Sequence, residues 1–66
     1  MRLTINGESR DYEGPLTVLG LIERLGLPAA KIAVERNFEI VPRSAYGEVV
    51  LGDGDRLEIV NFVGGG

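Results

Sequence analysis

The spacing of apolar residues changes along the chain and marks out its elements. Met1, Leu3 and Ile5 alternate with Arg2, Thr4 and Asn6, the period of a strand with one buried face. Asn6-Gly7 follows at once, the strongest two-residue hairpin signal, because a type I′ turn needs positive φ at both central positions. Glu8 to Glu13 then reads as the return strand, with Tyr12 its candidate inward residue. Gly14-Pro15 breaks that strand.

From Thr17 the period becomes helical. Val18, Leu21, Ile22 and Leu25 form one apolar stripe. Thr17 has the hydroxyl of an N-cap, Gly26 suits the left-handed residue that ends such a helix, and Pro28 prevents its resumption. Gly20 lies inside the helix, where glycine costs about 1 kcal/mol against alanine; a close approach of helix to sheet is the expected reason. Alternation returns at Ile32 and Val34, set against Ala33 and Glu35. Asn37 is the turn residue, Ile40 and Val41 continue the next strand, and Pro42 ends it or places it at an edge. Ser44 to Leu51 fits either a helical turn or an extended piece. Gly52-Asp53-Gly54-Asp55 is a turn, and Arg56 to Val63 is the last strand.

The predicted order is therefore strand, strand, helix, strand, strand, strand. One helix covers only one face of a sheet, so the expected architecture is α+β, a mixed sheet of four or five strands with the helix packed on one face. In the last strand Leu57 and Ile59 belong to the helix side. Arg56, Glu58, Val60 and Phe62 belong to the other, which turns apolar toward its end. Either the segment from Ser44 to Leu51 covers Val60 and Phe62, or they form an exposed patch for a partner.

Composition narrows the chemistry. A chain of 66 residues buries only about 60% of its unfolded surface. It has no cysteine to form a disulfide or thiolate metal site, and no histidine to ligate metal or act as the commonest general base. The core must carry the fold, and 44% hydrophobic residues suffice for that. The net charge is −3 and the seven basic residues are scattered. This argues against a nucleic-acid partner, which needs a basic face, and against an anionic membrane surface. No apolar run has the length of a membrane span. The chain opens directly into a strand pattern without a signal peptide, so a cytoplasmic setting is expected.

Candidate sites for intrinsic chemistry fail on their residue types. Asp53 and Asp55 lack the further oxygen ligands and closing glutamate of a calcium loop. Gly52 and Gly54 are followed by no lysine, hydroxyl residue or helix that would make a phosphate loop. Glu8, Asp11 and Glu13 read as solvated hairpin charges. Thr4, Ser9, Thr17 and Ser44 have no histidine to activate them. No metal and no bound cofactor is expected, and no catalysis by the chain itself.

One feature remains, the terminal Gly64-Gly65-Gly66. Three extended residues reach roughly 10 Å beyond the last strand. A tail without side chains can thread a narrow tunnel in another protein at any φ. Its α-carboxylate is the one reactive group that such a tail can deliver.

Asn37 with Ile40-Val41-Pro42-Arg43, then Gly52-Asp53-Gly54-Asp55, then a strand running into Gly-Gly, resemble in that order the ThiS family of sulfur carrier proteins of thiamine biosynthesis. The resemblance spans the whole chain. It implies the ubiquitin-like β-grasp fold, as residues 1–63, with residues 64–66 as a flexible tail. It also implies a chemical cycle. An E1-like adenylyltransferase, ThiF, uses ATP to adenylate the carboxylate of Gly66. Sulfur from cysteine, delivered by a desulfurase as a persulfide, displaces AMP on the way to a thiocarboxylate, and thiazole synthase, ThiG, accepts the sulfur. Gly65 and Gly66 carry the family's terminal pair; Gly64 and Gly65 thread the partner, and Val60, Phe62 and Val63 are the docking candidates. Arg36 and Phe38 are bulky for the turn they flank. The small subunit of molybdopterin synthase (MoaD-like), sharing fold and tail, is a second reading. A ubiquitin-like modifier of target lysines is a third, and an adaptor with an idle tail a fourth.

Overall fold

The computed structural model describes residues 1–61; the expectations placed on Phe62, Val63, Gly64, Gly65 and Gly66 lie outside them. Strands β1 (Arg2–Ile5) and β2 (Glu8–Asp11) form the predicted hairpin, with Ile5 opposite Glu8 and Asn6 and Gly7 at φ 51° and 84° between them. Leu3 and Ile5 are buried and Met1 packs against them. β2 is exposed throughout and ends before Tyr12, which lies half-buried against the core just beyond the strand.

Helix α1 (Val18–Leu25) is capped as its sequence dictates. The amide of Gly20 donates to Thr17 Oγ1 at 3.0 Å. Gly26 takes φ 70°, and its amide and that of Leu27 return to the carbonyls of Glu23 and Ile22, each at 3.1 Å, closing a Schellman end. Val18, Leu21 and Ile22 are buried, with Leu25 at their margin. The expected reason for Gly20 is corrected. A Cβ there would stand 3.0 Å from Leu16 Cδ1 and 3.4 Å from Thr17 Oγ1, so the preceding loop and the cap crowd it, not the sheet.

β3 (Ile32–Arg36) and β4 (Glu39–Val41) form a second hairpin through Asn37 and Phe38, at φ 51° and 69°. β5 (Arg56–Asn61) runs parallel to β1 and antiparallel to β3. The sheet order is β2-β1-β5-β3-β4: five strands, mixed, with β4 at an edge as Pro42 requires. Ser44–Leu51 combines both expected conformations. A 3₁₀ turn at Arg43–Ala45 precedes an extended stretch in which Val50 bridges Thr17. Amides of Val18 and Leu19 donate to Val49 and Tyr46, and that of Leu51 to Leu16, so this segment closes over the start of the helix. It delivers Tyr46 and Leu51 to the core, where the Tyr46 hydroxyl donates to the Ile32 carbonyl at 3.2 Å.

Candidate functional site

The last strand is the middle of the sheet and is held from both sides. From Arg36↔Leu57 to Ile32↔Asn61, β5 is paired with β3 along nearly its whole length. On its other side β1 pairs only with Arg56 and Leu57, because β1 turns away at Asn6. The amide of Asn6 still donates to the Leu57 carbonyl at 2.9 Å. Its carboxamide then continues the ladder, with Oδ1 accepting from the Ile59 amide at 2.8 Å and Nδ2 donating to the Ile59 carbonyl at 3.1 Å. A buried backbone amide or carbonyl needs such a partner. Asn6 was legible as a turn residue; its second role was not, since it depends on which strand lies alongside.

The other end of β5 is anchored by the Gly52–Asp55 turn. Asp55 is a buried polar residue. Its Oδ2 accepts from the Gly52 amide at 2.7 Å and from Arg36 Nε at 2.8 Å, and its Oδ1 from Asn37 Nδ2 at 3.1 Å. Burial pushes the Asp55 carboxyl upward, but these donors outweigh it and hold the group below the ordinary carboxylate range. Asp53 Oδ1 accepts from the Arg2 amide at 2.6 Å, and the Gly54 amide donates to the Arg2 carbonyl. Both aspartates therefore staple strands together. Among the described residues no group of three or more metal-ligating side chains is assembled.

On the face turned from the helix, Val60 is 58% exposed. The segment proposed as its cover lies over the helix start instead, so Val60 stands open to solvent. Ile40 and Phe38 are also exposed, and the Phe38 ring sits over the Arg56 guanidinium, 4.8 Å from its carbon. Toward β2 the same face is polar: Arg2 binds Ser9 Oγ at 2.7 Å and Asp11 at 3.1 Å. A groove beside Asn61 is floored by Leu25, Leu27, Ile32 and Ile59. Its charged residues, Arg10 and Glu8, are solvent-exposed and 3.9 Å apart.

The arrangement is a central strand, held by Asn6 on one side and β3 on the other, with an open, partly apolar face. The model of the ThiS family matches residues 3–66. The chain belongs to the ThiS family. A crystal structure of a thiamine biosynthesis protein, ThiS, from Geobacter metallireducens superposes with a TM-score of 0.86 at 36% identity, covering all of both chains. The fold is thus the ubiquitin-like β-grasp of that family. The sulfur carrier protein ThiS of Bacillus subtilis is 40% identical over 65 residues, covering 97% of this chain and 98% of that protein. A thiazole synthase of Paramagnetospirillum magneticum is 54% identical over 66 residues, matching the whole chain but only 20% of its own length. A thiazole synthase of Magnetococcus marinus matches at 46% identity, again over 20% of its length. The chain thus spans about a fifth of these two synthases.

Proposed function

We propose that the chain is a sulfur carrier for thiazole formation in thiamine biosynthesis, with the sulfur held as a thiocarboxylate on Gly66. The observation that carries this reading is the centrally paired, doubly anchored strand β5, running toward three glycines in a chain of the ThiS family. Adenylation by a ThiF-like adenylyltransferase turns an unreactive carboxylate into an acyl donor with AMP as leaving group. ATP is bound and used by that enzyme, not by this chain. The outer sulfur of a desulfurase-derived persulfide donor then displaces AMP to form an acyl disulfide, a thiol reduces its S–S bond to leave the thiocarboxylate on Gly66, and a ThiG-like thiazole synthase accepts that sulfur. The carrier is a co-substrate rather than a catalyst, and its contribution is proximity: docking converts a dilute sulfur donor into a positioned one. Gly64 and Gly65 thread the partner's tunnel, while Val60, Phe62 and Val63 dock beside its mouth. The ATP-dependent step suits a cytoplasmic setting. Family membership supports this reading over the molybdopterin-synthase subunit and the lysine modifier.

Intact-mass measurement tests it. With ATP, the adenylyltransferase and a sulfur donor, the chain gains the mass difference between one sulfur and one oxygen. Deleting Gly66 withdraws the carboxylate by roughly 3.5 Å and abolishes that gain. Sulfur loading of the deletion variant at the parent's rate rejects the proposal.

A further inference from the structure

Two glutamates face each other on the open side of the sheet. Glu35 of β3 and Glu58 of β5 are register partners, so their side chains stand directly opposite on the face turned from α1. Like charges in that relation destabilise a sheet. Arg56 relieves Glu58, with Nη2 3.2 Å from Oε1. Among the described residues no cationic group lies within ion-pair distance of Glu35.

The surroundings of this pair are apolar and exposed. Ile40 lies opposite Glu35 on its other side and is 72% exposed. Val60 follows two residues after Glu58 on the same face. Phe38 covers Arg56 at the far end and is 74% exposed. Phe38 also holds φ 69°, a conformation that costs a side-chain-bearing residue and persists where the surroundings over-determine it. The preceding residue ties the turn to β5: the Asn37 amide donates to the Arg56 carbonyl at 2.8 Å, and Asn37 Oδ1 accepts from the Arg56 amide at 3.0 Å.

We infer that this face receives a lysine or arginine side chain of a partner protein between Glu35 and Glu58, with Ile40, Val60 and Phe38 closing against apolar surface around it. Charge complementarity selects the partner's chemistry. A cation placed there removes the repulsion that the free chain tolerates, and the apolar ring excludes the water that would otherwise screen the pair. The inference rests on the sulfur-carrier reading and commits to the thiazole synthase as occupant, because two synthases contain a segment matching this whole chain.

The test is calorimetric titration of the chain with purified thiazole synthase at low and physiological salt, using the parent, Glu35→Gln, Glu58→Gln and the double variant. The double variant binds about tenfold more weakly, and its affinity depends less on salt. Its melting temperature equals or exceeds the parent's, because the like-charge pair is gone. Glu35→Lys binds more weakly still. Equal affinity of parent and double variant overturns the inference, as does a fall in melting temperature that accompanies the binding loss. Weakened binding to the adenylyltransferase alone, or no binding of the parent to the synthase, overturns the choice of occupant. Sulfur loading of Gly66 is measured in parallel: if the parent loads while the double variant binds normally, only this inference fails; if the parent does not load, the sulfur-carrier reading fails.

Discussion

The carboxamide of Asn6 is bonded twice to the backbone of Ile59, accepting from its amide at 2.8 Å and donating to its carbonyl at 3.1 Å. A turn residue of the first hairpin thus acts as one more residue of β1, along the strand that leads to the terminal glycines. Asn6→Ala removes both bonds and leaves a Cβ-bearing residue at φ 51° without the local side-chain bonding that helps asparagine there. The expected loss is about 2–3 kcal/mol, summing an unsatisfied backbone group and left-handed strain of roughly 1 kcal/mol. Asn6→Gly loses the bonds but not the conformational freedom, so it is the milder variant. Hydrogen exchange at Ile59 checks the cause, since its amide loses protection in both. Unchanged protection assigns the destabilisation to the turn alone.

Asp55 makes stability depend on acid. Its folded pKa lies below its unfolded value, because the Gly52 amide, Arg36 and Asn37 favour the charged form more than burial opposes it. The unfolded chain therefore binds the proton first. The contribution of Asp55 is fully present above the unfolded pKa of about 3.9 and is lost as pH falls through that value and the lower folded one. Asp55→Asn weakens the Arg36 bond and costs about 1–3 kcal/mol at neutral pH. Urea midpoints from pH 7 to pH 2.5 should fall for the parent and fall less for the variant. Parallel curves would remove Asp55 as the cause.

Val60 separates docking from folding. At 58% exposure it contributes little to the core, so Val60→Ser should shift stability by at most about 0.5 kcal/mol while weakening binding to the adenylyltransferase or synthase. Phe62→Ala is expected to behave alike. A large fall in melting temperature with binding intact would make either residue part of the fold.

The tail is tested by shape as well as length. Gly65→Val places a stiff, β-branched side chain where a narrow tunnel admits only backbone. It should melt like the parent yet fail to accept sulfur, with the loss read by intact mass. Loading of Gly65→Val at the parent's rate would show that no such tunnel encloses the tail.

Short-range features of this protein are set by sequence alone. The Asn6-Gly7 turn, the Thr17 cap, the Gly26 end of the helix and the inward positions Leu3, Ile5, Leu57 and Ile59 follow from local φ preferences and from periods of 2 and 3.6 residues. These act within a few residues, whatever the rest of the chain does. The terminal glycines and the family resemblance were likewise readable directly, and the family match bears the resemblance out. Tertiary structure decided what depends on residues far apart in the chain. Strand order put β5 in the middle of the sheet, 53 residues of sequence separating Asn6 from the Ile59 it holds. It turned Asp55 from a polar turn residue into the anchor of Arg36 and Asn37, and it carried the Ser44–Leu51 segment away from Val60. Hydrogen-bond partners and exposure are properties of what lies alongside, and periodicity records only which way a side chain points.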